Sequence, residues 1–179
     1  PLRPYVHIIR GDLSGRFCNG EVPMTQKQYF IAAALGSAAL MLGALAFQHI
    51  GGMAPCKLCI WQRYPHMVAI ALGALAVSFE DARLRTGIIL AGASSAAITA
   101  VIGVYHAGVE QGIFEGPTSC TSSAIDNMSA DDLLAQIMAA PLVRCDDIPW
   151  QLAGISMAGW NAIVSIALGG LWLMALKRR

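Results

Sequence analysis

Five cysteines, at positions 18, 56, 59, 120 and 145, hold most of the reactive chemistry available to this 179-residue chain. Two of them form Pro55-Cys56-Lys57-Leu58-Cys59, a spacing that lets the sulfurs meet in a strained disulfide. Where such a pair opens a helix, the positive end of the helix dipole favours a thiolate, and Lys57 and Arg63 add charge nearby. Arg63 stands four residues beyond Cys59, one turn on and on the same face. A cation within an apolar segment is costly and usually marks function, whereas near a helix end it can equally snorkel toward headgroups; the residue types leave these two readings level. A thiolate and a fixed cation one turn apart are what reduction of a quinone needs, with Arg63 stabilising negative charge that develops on an oxygen.

Cys120 and Cys145 offer a second pair. A disulfide between them would close a loop and stabilise it by about 3 kcal/mol. A nearby first pair also allows electrons to pass by thiol–disulfide exchange, and four thiolates around zinc are a third option, disfavoured in an oxidising compartment. His106 reads as a polar cap at the end of an apolar segment, at a depth matching that of Arg63. His49 and His66 lie near segment ends too, so position does not single out His106.

The elements that must hold these residues are membrane spans. The chain is 56% hydrophobic and 13% charged, with a mean hydropathy of +0.56; soluble domains carry about a quarter charged residues. The net charge of +1, with no basic patch interleaved with aromatics, says nothing of nucleic acid. Spans of roughly 20 apolar residues are predicted at about 28–47, 60–79, 87–105 and 152–176. Gly36, Gly43, Gly73, Gly92 and Gly103 read as helix-packing positions, Pro65 as a residue of the first turns of the second span, and Trp61, Tyr64, Trp150 and Trp160 as interface anchors. The fold class expected is an all-α membrane protein: a four-transmembrane-helix bundle with two periplasmic loops, the second long and carrying a short amphipathic helix.

Basic residues orient the bundle. Nine of the twelve Lys and Arg fall on one side, which puts both termini and the 80–85 turn in the cytoplasm. The 48–59 and 106–151 connections then face outward with Cys56, Cys59, Cys120 and Cys145, where disulfides persist. Cys18 stays in the reducing compartment as an inert thiol. Residues 1–26 read as a disordered cytoplasmic leader with no apolar signal core, Met24-Thr25-Gln26-Lys27 as a natural start, 27–176 as the membrane domain, and 177–179 as a basic tail. In the long loop, Ser129-Ala130-Asp131-Asp132 has the form of a capping box ahead of a short amphipathic helix that lies on the membrane or packs on protein.

Four spans, Pro55-Cys56-Lys57-Leu58-Cys59-Ile60-Trp61-Gln62-Arg63 at the head of the second, and Cys120 and Cys145 in the second outer loop together resemble the DsbB family. The segment Tyr105-His106-Ala107-Gly108-Val109-Glu110, then Gly116-Pro117 before Cys120, is similar to the family's exit from the third span. Ile155-Ser156-Met157-Ala158-Gly159-Trp160-Asn161 is similar to its entry into the fourth. The likeness runs over about residues 27–176; Gln62 departs from it, standing where some members carry an acidic residue.

The resemblance implies a bacterial inner-membrane, multi-pass protein-dithiol:quinone oxidoreductase. It would reoxidise a periplasmic DsbA-type thioredoxin-fold oxidase and pass electrons to membrane quinone, ubiquinone or menaquinone. It implies catalytic roles for Cys56, Cys59, Cys120 and Cys145. The Cys120–Cys145 disulfide would be attacked at Cys120, and Cys145 would then open the Cys56–Cys59 disulfide. Cys59, Arg63 and His106 are implied as the quinone contacts, with no metal. Competing readings are a vitamin K epoxide reductase-like quinone enzyme, whose CxxC belongs near the end of the bundle, a non-enzymatic membrane protein with stapled outer loops, and a small transporter, which would need more polar or broken spans.

Overall fold

The computed structural model describes residues 24–117, 129 and 143–178. Cys18, Cys120, the leader through residue 23 and the expected loop helix, apart from Ser129, lie outside the described residues. Four helices carry the described fold: α1 (Gln26–His49), α2 (Lys57–Ser78), α3 (Ala82–Glu110) and α4 (Met157–Lys177). A two-residue-per-strand hairpin, β1 (Gln151–Leu152) with β2 (Ile155–Ser156), precedes α4.

Each helix begins on a side chain that accepts one of its free N–H groups. Thr25 forms a capping box with Gln28 at α1, Asp81 accepts from the Leu84 N–H at α3 (2.8 Å), and Ser156 accepts from Gly159 at α4 (3.2 Å). At α2 the cap is a sulfur, Cys56 Sγ, which accepts from the Cys59 N–H at 3.2 Å.

The helices form a ring in which α1 packs on α2, α2 on α3, α3 on α4 and α4 on α1. At one end Arg85 donates to the Phe79 carbonyl (2.7 Å), closing the α2–α3 turn, and Gln26 donates to the Ala175 carbonyl (3.0 Å), tying α1 to α4. The interior sets small and polar side chains, Ala33, Ser37, Ala76, Thr99, Ser165 and Ala175, among the fully buried Phe30, Leu58, Ile89 and Trp172. The exterior is the apolar surface, with Leu35, Leu42, Ile98, Val101 and Ile166 all more than half exposed. That inversion suits a bundle solvated by lipid, where helices associate through close packing and not through hiding oil from water.

Small residues set the approach distances. A Cβ on Gly73 would collide with Ala34, and one on Gly92 would meet the indole of Trp172 at 2.6 Å. Gly43, expected at a helix contact, has nothing within 4 Å of its Cβ position; it lines a cavity instead.

Three helices, α1, α3 and α4, are long and apolar enough to cross a membrane. The expectation of four such spans is therefore met only in part: α2 is 22 residues long, but its first half carries Gln62, Arg63 and His66. Pro65 also departs from expectation. With α2 starting at Lys57, it is the ninth helical residue and leaves the Trp61 carbonyl without its usual donor. The expected fourth span, 152–176, starts late. Residues 151–156 form the hairpin, because Ala153 (φ 54°) and Gly154 (φ 77°) adopt the left-handed conformation of a tight two-residue turn, and Ser156 then caps α4.

Candidate redox site

The α2 cap sets the geometry of the first cysteine pair. Because Cys56 is the N-cap and Cys59 the third helical residue, their Sγ atoms face each other at 2.9 Å, within reach of a disulfide. Both are free thiols here, Cys56 buried and Cys59 partly so. The turn stands ahead of the apolar stretch 60–79. In it the Cys56 thiol is pushed up, chiefly by the S–H bond it gives Cys59 and by burial. Cys59 is held down to about 7, first by that same S–H bond and further by the charge of Arg63, against the cost of burial. Cys59 is therefore the thiolate of the pair.

Cys145 is buried in one cluster with Cys56, Leu58 and Val109, against which Cys59 also packs. It is disulfide-bonded. The fold thus draws Cys145, 86 positions beyond Cys59 in sequence, onto the first pair.

Arg63 donates from Nη1 to Gln48 Oε1 at 2.7 Å, anchoring its guanidinium to the end of α1. His106, on α3, comes within 3.5 Å of Cys56 Sγ through Nε2, and its Nδ1 lies 2.8 Å from Gln62 Nε2. A carboxylate joins from the end of α3: Glu110 Oε1 is 3.8 Å from His106 Nε2, and Ser156 donates its hydroxyl to Glu110 Oε2.

These contacts belong to a chain of hydrogen bonds with a definite direction. The single hydrogen of Thr99 Oγ1 goes to the Gln62 carbonyl (3.1 Å). Thr99 can then only accept from Asn161 Nδ2 (3.2 Å) and from His66 Nε2 (3.3 Å). That pins the Asn161 amide. His66 Nε2–H donates to Asn161 Oδ1 (2.9 Å), Asn161 Nδ2 donates to Gln62 Oε1 (2.6 Å), and Gln62 Nε2 donates to His106 Nδ1. His106 in turn carries its hydrogen on Nε2, which lies 3.5 Å from Cys56 Sγ and also bonds the Cys145 backbone carbonyl, and Cys56 donates to Cys59. The chain ends on the Cys59 sulfur.

A cavity of about 650 Å³ opens beside this chain, between α1, α2, α4 and the hairpin. Cys59, Arg63, Gln62, His66, His106 and Glu110 reach it from one side; Leu40, Phe47, Met157 and Val164 supply apolar wall. This is the size and character of a small-molecule site. Apolar walls, the guanidinium groups of Arg63 and of Arg144, the latter paired with Asp146, and a buried Arg63 Nε without a hydrogen-bond partner suit a flat apolar ring bearing acceptor oxygens. Cys56, Cys59 and His106 also bring their three donor atoms within 4.8 Å of one another, a set that a soft cation could use. In the hydrogen-bonded arrangement, however, the Cys56 thiol and His106 Nε2 spend their hydrogens within the chain.

Of the residues singled out in the sequence, Cys56, Cys59, Arg63, His106 and Cys145 converge here; Cys120 lies outside the described residues. Sequence reasoning missed Gln48, Thr99, Glu110 and Asn161 as parts of the site, and gave His66 no role. One signal was present: Cys59, Arg63 and His66 follow at i, i+4 and i+7, a single helical face.

Comparison with known proteins gives a coherent result. The family model described as "Disulfide bond formation protein DsbB" matches residues 26–175. "Disulfide bond formation protein B" of Verminephrobacter eiseniae is 29% identical over 163 residues, covering 88% of this chain and 89% of the relative. The protein of the same description from Polaromonas sp. is 30% identical over 152 residues, covering 81% and 88%. "Disulfide bond formation protein B 2" of Pseudomonas aeruginosa is 28% identical over 145 residues, covering 78% and 83%.

Proposed function

The chain belongs to the DsbB family of disulfide bond formation proteins, bacterial inner-membrane oxidoreductases, and from that premise we propose that it moves electrons from a periplasmic DsbA-type oxidase to membrane quinone through two cysteine pairs. In this reading α2 from residue 60 onward is the fourth span, both termini are cytoplasmic, and the cysteine-bearing connections face the periplasm.

The observation that carries the reading is the burial of Cys145 against Cys56, on a thiol pair that borders an apolar cavity holding Arg63. Thiol exchange needs an attacking thiolate close to a disulfide sulfur. The reduced partner's thiolate attacks Cys120 of a Cys120–Cys145 disulfide, and Cys145 leaves as a thiolate. Cys145 then attacks Cys56 of the oxidised Cys56–Cys59 pair, releasing Cys59 as a thiolate. The partner's second thiol displaces Cys120, which closes again on Cys145 and frees Cys56. Two electrons now rest on Cys56 and Cys59, and the partner is a disulfide.

A quinone held beside Cys59 and Arg63 would supply the acceptor of two electrons and two protons that lets the Cys56–Cys59 disulfide re-form. This chain's residues prepare that step. Arg63 offers positive charge where an oxygen gains electron density, Gln48 fixes the guanidinium, and the apolar wall excludes water. Cys56 holds its hydrogen toward Cys59, with His106 Nε2 3.5 Å behind it.

The test is trapping. A Cys145→Ser chain leaves Cys120 without its partner and is expected to accumulate a dithiothreitol-sensitive adduct with the DsbA-type protein. Adduct formation is expected to disappear in Cys120→Ser, Cys145→Ser. Absence of any adduct with a periplasmic oxidoreductase would overturn the relay in favour of a merely stapled loop.

A further inference from the structure

The directional hydrogen-bond chain has an open end. Its last acceptor is Cys59 Sγ; its first donor is His66, whose Nε2–H is committed to Asn161 and Thr99. In a neutral imidazole the other nitrogen is then a bare acceptor. That atom, His66 Nδ1, is buried and has no hydrogen-bond partner, and the residue is 4% exposed. Among the described residues, Arg63 and His66 are the two cavity-lining residues with an unpartnered buried nitrogen. A buried acceptor left unmatched is destabilising, so a group to satisfy it is expected.

His66 follows Arg63 by three residues, a rise of about 4.5 Å along α2, on the face that also carries Cys59. A ring lying along this face meets the thiolate and guanidinium at one end and the imidazole at the other. A carbonyl oxygen cannot bond to a bare acceptor; a hydroxyl can. Resting on the reading of the cavity as a quinone site, we propose that His66 Nδ1 accepts a hydrogen bond from the hydroxyl of the reduced ring, so that this residue lets the cavity hold quinol in preference to quinone. The two electrons that distinguish the forms come from the thiol pair as it closes to a disulfide, with one proton from the Cys56 thiol and the second from water, so the bond is made only after electrons have passed. His66 thereby favours the forward direction.

Two substitutions separate this role from a structural one. His66→Gln keeps an N–H near Asn161 and removes the acceptor at the Nδ1 position. His66→Asn keeps an acceptor at that position and gives up the bond to Asn161. Full-length protein, stripped of bound quinone, is titrated anaerobically with a decyl-benzoquinone and with its quinol, binding being read by tryptophan fluorescence. Thermal melts establish that each variant is folded.

His66→Gln is expected to weaken quinol binding about tenfold, the loss of one hydrogen bond to a buried acceptor, with quinone binding changed less than about twofold. The potential of the bound couple then falls by about 30 mV. His66→Asn is expected to retain most of the preference for quinol. Equal loss of both forms in His66→Gln, or no loss of either, overturns the inference while leaving the quinone site standing. If the unaltered chain binds neither form, the quinone reading itself falls and this inference with it.

Discussion

Cys59 owes its thiolate character to an S–H donor and a cation supplied from either side of it. Cys56 gives it a hydrogen bond and is itself pushed up in consequence, while Arg63 contributes charge from one turn along. The sign is definite. A thiol lowered from 9.0 to about 7 is half ionised near neutrality and becomes the unreactive thiol as pH falls below that point. In the reduced protein, iodoacetamide is expected to alkylate Cys59 with a rate that climbs through pH 7 and levels off above it. In Cys56→Ala the S–H donor is gone, and the midpoint is expected to move to more alkaline pH. A midpoint near 9 in the unaltered protein would show that the two neighbours do not act on Cys59 as described. Much of this was legible in the sequence, because Cys56, Cys59 and Arg63 lie within two helical turns, where spacing alone fixes who faces whom.

At the scale of the helices, contacts rest on small residues placed where backbones must approach. Gly92 faces the fully buried indole of Trp172, so Gly92→Ala forces that ring aside. The expected cost is about 1–3 kcal/mol, read as a lower unfolding midpoint in mixed micelles. Gly87→Ala, on the same helix with nothing within 4 Å of its Cβ position, is expected to leave the midpoint unchanged or raise it slightly. Composition pointed to such packing, but it could not tell Gly92, which contacts Trp172, from Gly43, which lines the cavity. Both lie in apolar runs rich in Ala and Gly, and the difference is one of rotation about the helix axis. The late start of α4 was hidden for a related reason: Ile155 and Leu152 are apolar in a strand or a helix alike, and the turn at Ala153-Gly154 depends on backbone angles that an alanine seldom adopts.

For the molecule as a whole, the proposed relay depends on sidedness. In the proposed four-span topology nine of twelve basic residues fall on the side opposite the redox cysteines, and the positive-inside rule would put that side in the cytoplasm. An impermeant maleimide added to intact cells whose outer membrane has been opened, after mild reduction, is expected to label Cys120 and Cys145 and to spare Cys18. Labelling of Cys120 only after the inner membrane is lysed would remove the periplasmic partner. The exposed apolar exterior and the small and polar side chains within the core agree with a lipid-solvated bundle, and α2 fits such a bundle although its first half is polar. Its Gln62 and His66 are buried and bonded to α3 and α4, so that half does not present them to lipid.

The amino-acid sequence by itself determined the membrane character of the chain, three of its spans, the CxxC at the head of α2 and the family resemblance, because apolar run length, charge asymmetry and short spacings are local properties. Only the tertiary structure decided that Cys145 is buried against Cys56, that Thr99 orients the amides, and that Glu110 and Ser156 stand beside His106. Gln62 and His106 are 44 positions apart, and Gln62 and Asn161 are 99 apart. Hydrogen bonds over such separations exist only once helix packing has set the distance and rotation of every partner, and no periodicity along a single segment encodes them.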